Sequence, residues 1–317
     1  MTGTRRMKTS ETAKLFLSKD RFLLLTHRNP DGDTLGSASA LCSALRRAGK
    51  TAYLYPNTEI TDKYRPFAER YFAPEDYESA YVVAVDIATD KLFPPQYEGP
   101  VDFCIDHHPS NTHYTKQSLI APSKASCGEI VMQLIKALCG DISPEEANLL
   151  YVAVSTDCGC FQYANTRADT LRAAAELLDC GADNTNLNVT LFRKISRARM
   201  SIEGMVYSGM RFYRDGKIVV AVITQEMLQK AGATEDDLDD ISGLAGKAEG
   251  GVLSITIRQQ PDGSSRISLR SSPEVNCSEI CAVFGGGGHA MAAGCTIHAE
   301  PERARQMLLD VIDEVWK

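Results

Sequence analysis

Between Thr26 and Ala38 the chain reads THRNPDGDTLGSA, which puts one imidazole and two carboxylates, His27, Asp31 and Asp33, within seven residues. Three further stretches share that character: Asp86 closes YVVAVD, Asp106, His107 and His108 follow VDFCI, and Asp157 lies in VSTDCGCF. Carboxylates gathered at one place repel one another and resist ionising together unless cations neutralise them. The pattern therefore asks for metal.

Asn29, Asp31 and Asp33 stand at EF-hand spacing, but the sixth position is Thr34 where that loop needs Gly, and the twelfth is Ala40 where it needs Glu. The calcium loop is excluded on both counts. A structural zinc site would favour cysteine in closed four-coordination, whereas oxygen-rich ligands with a few imidazoles suit Mn²⁺, with Mg²⁺ or Co²⁺ as alternatives. The set exceeds what one ion needs. Two ions roughly 3.5–4 Å apart, sharing a carboxylate, would use six or seven such groups and activate water for in-line attack on phosphorus. Asp86, alone after its strand, is the natural bridge.

These residues need a frame to bring them together. RFLLLT, TAYLY, YVVAV, VDFCI and QSLIA are short apolar runs, as strands buried on both faces would be. Amphipathic segments alternate with them. TLGSASALCSALRRAGK stops at Gly49, ASCGEIVMQLIKALCG opens with a capping box from Ser126 to Glu129, and SPEEANLLYVAV opens with Ser143, Pro144 and Glu146. The alternation predicts an α/β, doubly wound parallel sheet, whose ligands bind beyond the carboxyl ends of the strands. Asp157 joins that rim from the end of a helical pattern. A helical, charged stretch containing RKISRARM follows, then strand signals in KIVVAVI, GVLSITIRQQ and SSRISLRSS. The expected domains are residues 1–190, a helical linker over 191–215, and a smaller α+β domain over 216–317.

Composition limits the partners. The 317 residues are 44% hydrophobic and 24% charged, which sets the chain apart from disordered and collagen-like classes. The longest apolar runs fall far short of the roughly 20 residues that span a bilayer, so no membrane association is expected and the cytoplasm is the expected location. A net charge of −7 argues against long duplex nucleic acid, whose binding needs many Lys and Arg. The ten cysteines form no CxxC pair and read as small buried hydrophobes. A homodimer is compatible with the sequence.

HRNPDGD, VAVDIA, the DHH of Asp106 to His108, and STDCGCF occur in the order found in the DHH phosphoesterase superfamily, which the chain resembles. FGGGGHAMAAGC, Phe284 to Cys295, resembles the glycine-histidine signature of the DHH-associated C-terminal domain. The resemblance implies that His27, Asp31 and Asp86 hold one Mn²⁺, while Asp33, Asp86, His107 and Asp157 hold the other. It further implies that His108 faces substrate or the attacking water and that Asp106 orients a ligand histidine.

Pyrophosphatases of the superfamily lack the glycine-histidine domain, RecJ-like exonucleases usually carry a further nucleic-acid-binding domain, and membrane cyclic-dinucleotide phosphodiesterases add regions ahead of the DHH domain. With its first predicted strand near residue 21, the compact chain resembles nanoRNase/pAp phosphatases. That implies short oligonucleotides and adenosine 3′,5′-bisphosphate as substrates, held in a cleft between domains. Linear or cyclic dinucleotide hydrolysis, RecJ-like exonuclease action and a nucleotide-binding regulator without turnover are the alternatives. Arg270, the backbone at Gly286, Gly287 and Gly288, and His289 would grip the nucleotide. Asn111 is read as touching the nucleotide or capping a turn, and His113 and His298 as structural.

Overall fold

The computed structural model describes residues 4–238 and 241–316 and falls into two units, Met1–Lys194 and Ile195–Lys317. In the first, β1 (Arg5–Arg6), β2 (Phe22–Leu25), β3 (Ala52–Leu54), β4 (Tyr81–Val85), β5 (Phe103–Asp106) and β6 (Gln117–Ile120) form one sheet. Its order is β1-β6-β5-β4-β2-β3, and every pair is parallel. The helices are α1 (Thr9–Leu17), α2 (Gly32–Arg47), α3 (Arg65–Ala68), α4 (Cys127–Cys139), α5 (Pro144–Asp157), α6 (Ala168–Asp179) and α7 (Asn184–Asn188).

The strands are buried on both faces, as their continuous apolar character predicts, but the two coverings differ. One face packs Phe22, Leu24, Val83, Val85, Phe103 and Ile105 beneath helices, with the Phe16 ring 5.2 Å from that of Phe103. The other buries Leu23, Leu25, Val82 and Ala84 under aromatic side chains of connecting segments, among them Tyr55, Tyr77, Phe93, Tyr97 and Tyr114.

Helices α2 and α5 run against each other because their facing residues are small. A methyl on Gly36 would run into the Leu149 carbonyl oxygen and lie 2.9 Å from the Ala153 nitrogen; one on Gly32 would collide with Thr156. Glu146, fully buried at the start of α5, accepts from Arg47 of α2 at 3.2 and 2.9 Å. At the expected start of α5, Ser143 and Glu146 form a capping box in both directions. At α4 only half of the expected box exists: Ser126 Oγ accepts from Glu129 N, but the Glu129 carboxylate turns elsewhere.

The second unit holds α8 (Arg197–Gly209), β7 (Arg211–Tyr213), β8 (Ile218–Ile223), α9 (Gln225–Ala231), β9 (Leu253–Gln259) and β10 (Ser265–Ser271). After them come α10 (Cys277–Ala282), β11 (Gly287–His289), β12 (Ala292–Ile297) and α11 (Pro301–Val315). The sheet order is β11-β12-β10-β9-β8-β7; β8 and β9 pair in parallel and the rest are antiparallel. One face, with Ile255, Ile267, Leu269 and Cys295, packs with Ile280, Leu308 and Ile312 of α10 and α11.

The stretch expected as a helical linker, 191–215, contains α8 and β7. Leu191 is buried in the core of the first unit, whereas Ile202 and Val206, one turn apart on α8, are buried with Val219, Ala221 and Ile223 of β8. Two apolar residues at helical spacing give α8 a core of its own to join, so the segment is divided between the units. Among the described residues no helix is long and apolar enough to cross a membrane.

The close passage of α2 and α5 matters for function because Asp31 and Asp33 lie at the start of α2 and Asp157 at the end of α5. Gly36→Ala gains about 1 kcal/mol of helix propensity, yet the added methyl meets backbone that cannot step aside. We expect a net destabilisation of roughly 1–3 kcal/mol, read as a lower urea midpoint; an unchanged or higher midpoint would contradict the packing.

Candidate metal centre and anion-binding sheet face

From β2 the chain steps outward to β3, then returns to the other side of β2 for β4 and continues outward through β5 and β6. The order thus reverses between β2 and β4, and open α/β sheets bind ligands beyond the carboxyl ends of the strands at such a point. His27 follows β2, Asp86 follows β4, and Asp106, His107 and His108 end and follow β5. Thr34 Oγ1 of α2 donates to Val85 O at 2.8 Å and ties the acidic loop to the residue before Asp86.

Ligand-capable atoms converge in three groups, each with its atoms within 4.8 Å of one another: His27, Asp31 and Asp86; Asp33, His107 and Asp157; and Asp86, His107 and His108. All six metal ligands expected from the sequence are therefore brought together, with His108 beside them. Each expected ligand has a local reason for its place. Asp31 caps α2, its Oδ1 accepting from Asp33 N at 3.0 Å and Thr34 N at 3.1 Å. Asp33, 1% exposed, accepts from the first two amides of α4, Cys127 N at 2.7 Å and Gly128 N at 2.9 Å, and from Ser37 Oγ. A helix N-terminus favours negative charge there.

The histidines are oriented through their Nδ1 atoms. His27 Nδ1 lies 2.8 Å from Arg28 O and His107 Nδ1 lies 3.3 Å from Lys124 O. A carbonyl partner holds the proton on Nδ1 and leaves Nε2 free as a donor atom. Those Nε2 atoms face acids: Asp31 and Asp86 for His27, and Asp33, Asp86 and Asp157, at 3.5–3.7 Å, for His107. Asp106 was expected to orient a ligand histidine. It bonds His108 Nδ1 at 2.7 Å, while the Lys124 carbonyl serves His107. That bond, ahead of an opposing effect of burial, raises the His108 pKa.

Asp86 is the most constrained member. It is 3% exposed, its φ of 61° lies in the left-handed region, and its amide donates to Ile105 O at 2.8 Å, which holds the backbone there. A non-glycine residue in that region stores strain of the order of 1 kcal/mol or more and is found at functional sites. Its Oδ1 is buried without a hydrogen-bond partner. Burial first, then neighbouring carboxylates, push Asp86 and Asp33 well above the usual carboxylate range, and lift Asp157 to about 6. An orphaned carboxylate oxygen, crowded acids and imidazoles presenting bare Nε2 atoms fit a divalent cation site of the oxygen and imidazole type.

Asn111, read as touching the nucleotide or capping a turn, is buried beside Asp106 and caps a turn. It is 8% exposed; its Nδ2 donates to Asp106 Oδ2 at 2.6 Å and its Oδ1 accepts from His113 N at 2.8 Å. Both ends of the amide are occupied, so it serves to hold Asp106.

In the second unit Arg270 stands on the exposed side of β10, and in register across β12 lies His289. Arg270, Gly286 and Gly287 line a cavity of ≈ 710 Å³ with Arg266, Thr296 and His298. Among the described residues Arg266 and Arg270 have no acidic partner within ion-pair distance. Sequence reasoning missed Arg266 and Thr296 and took His298 as structural; the every-second-residue spacing of Arg266, Ser268 and Arg270 was the available signal. The glycines were expected to let backbone approach an anion. At Gly286 and Gly288 the close approach is to β12 itself, since a methyl would collide with the Gly294 or Ala292 carbonyl region. Only Gly287 of the three opens onto free space.

If the Asp106 carboxylate holds up the His108 pKa, Asp106→Asn should move the His108 titration to lower pH in NMR spectra of the cation-free protein. An unmoved or higher midpoint would contradict the assignment.

The DHH family, N-terminal domain, matches residues 21–154, and the DHHA1 domain matches residues 215–317. The bifunctional oligoribonuclease and PAP phosphatase NrnA of Thermus thermophilus is 34% identical over 297 residues, 92% of this chain and 89% of its own length. The protein of the same name from Bacillus subtilis is 26% identical, over 90% of this chain and 92% of its own. An exopolyphosphatase-related protein from Bacteroides fragilis shares the fold with a TM-score of 0.86 at 23% identity, covering 96% of each chain. The chain belongs to the DHH family of phosphoesterases, with a DHHA1 domain following its DHH domain.

Proposed function

We propose that the chain releases mononucleotides from very short oligonucleotides and removes the 3′-phosphate from adenosine 3′,5′-bisphosphate, using two Mn²⁺ ions. The observation that carries this reading is the convergence of three donor groups linked through Asp86 and His107, in a chain whose 34% identical relative is named for both activities. Cytoplasmic work suits the ten free cysteines, which a reducing compartment would keep as thiols.

His27 and Asp31 would hold one ion, Asp33, His107 and Asp157 the other, and Asp86 both. Bound there, divalent cations would lower the pKa of water toward neutrality and offset charge on the phosphoryl oxygens. The remaining work falls to the chain. His108, kept protonated by Asp106, donates to the leaving sugar oxygen, a step worth typically about 10²–10⁴ in rate. Arg270 and His289, with the backbone at Gly287, bind substrate phosphate by charge-assisted hydrogen bonds. Few cations on one sheet face suit a di- or trinucleotide better than a long strand.

A rate panel of adenosine 3′,5′-bisphosphate, a linear dinucleotide, cyclic dinucleotides and pyrophosphate, each with Mn²⁺, tests this. Hydrolysis of the bisphosphate and the linear dinucleotide is expected. Turnover of pyrophosphate alone, of cyclic dinucleotides alone, or nucleotide binding with no turnover would overturn it.

A further inference from the structure

Asp33, His107 and Asp157 all hang on one short segment, Lys124–Gly128. The Lys124 carbonyl takes His107 Nδ1 at 3.3 Å, and the Cys127 and Gly128 amides take the Asp33 carboxylate. Asn165 Nδ2 donates both to Ala125 O at 3.2 Å and to Asp157 O at 3.0 Å, joining the segment to the backbone of the third ligand. His27 and Asp31, by contrast, make their hydrogen bonds to Arg28 O and to the Asp33 and Thr34 amides, and the Asp86 amide bonds Ile105 O. Among the described residues none of those three is hydrogen-bonded to Lys124–Gly128.

The segment is shaped from within by Glu129. This carboxylate is 2% exposed; Oε1 accepts from Ala125 N at 3.1 Å and Thr170 Oγ1 at 2.9 Å, and Oε2 pairs with Lys124 Nζ at 3.0 Å. The helix end does not require it, because Ser126 already caps α4. Buried ion pairs of this kind add little net stability, since desolvation offsets attraction, and what they supply is a fixed geometry. Here that geometry includes the Lys124 carbonyl direction and the entry of the two Asp33-binding amides.

We propose that Glu129, paired with Lys124, is a positioning residue for one of the two cations: through Lys124–Gly128 it sets His107, Asp33 and the Asp157 loop together, and leaves the His27–Asp31 side alone. The proposal rests on the two-ion reading above. Outer partners that orient ligands typically change metal affinity about 10–100-fold when replaced.

The test is calorimetric Mn²⁺ titration of the full chain, wild type beside Glu129→Gln and Asn165→Ala, with thermal unfolding recorded in chelator. Glu129→Gln keeps an acceptor for Ala125 and Thr170 but removes the charge opposite Lys124. Asn165 is exposed, so its replacement leaves the core intact. Wild type should bind two ions. In both variants one binding step should weaken about 10–100-fold and the other should hold, and in Asn165→Ala, which breaks no buried pair, the unfolding midpoint in chelator should not move. Equal weakening of both steps, or of neither, overturns the positioning role. Fewer than two ions on wild type would instead bring down the two-ion reading, and this proposal with it.

Discussion

Asp33, Asp86 and Asp157 cannot all be charged in one buried corner unless a cation stands among them. Two like charges about 4 Å apart repel by ~4 kcal/mol even at an effective dielectric near 20. The fold relieves part of this by giving Asp33 two amides of a helix N-terminus, but Asp86 Oδ1 receives no donor. The consequence, without a cation, is a raised affinity of these carboxylates for protons. An unfolded chain loses the Asp157 proton near 3.8, and the folded chain without cation near about 6. Between those values the fold binds more protons than the unfolded chain, so this group's contribution to stability is lost as pH rises. A divalent cation bound there would offset that loss.

Much of the molecule arranges this confrontation. The sheet reverses its order between β2 and β4, which opens the rim there. Glycines 32 and 36 let α2 and α5 pass closely enough to bring the Asp33 and Asp157 ends together. The Thr34 hydroxyl fastens the α2 start to β4, and the Ile105 carbonyl holds Asp86 in its left-handed turn. Packing and site chemistry are thus the same set of contacts.

The sheet and most of the candidate ligands were readable because parallel strands buried on both faces are uninterrupted apolar runs, and the residue after each strand marks the rim. Five of the six expected ligands stand after strands; Asp157 ends a helix, and the choice of His107 within the DHH triplet came from the family resemblance. What escaped reading depends on backbone direction. That His107 leans on a carbonyl of Lys124, while Asp106 serves His108, follows from how two loops pass each other. Asn111 reads as a turn former in DHHPSN, and nothing local reveals that Asp106 lies within reach of its amide. The charged stretch around RKISRARM hid the periodicity of Ile202 and Val206, which places α8 in a core. The glycine run lacks side chains to pattern, so strand β11 was invisible.

The central claim is that protons occupy this centre in place of cations. Calorimetric titration with Mn²⁺ near pH 6, in two buffers of different ionisation enthalpy, reads it directly. The account predicts a net release of about one proton or more on loading, shrinking as the pH is raised. Manganese binding with no proton release, or release that grows with pH, would contradict it.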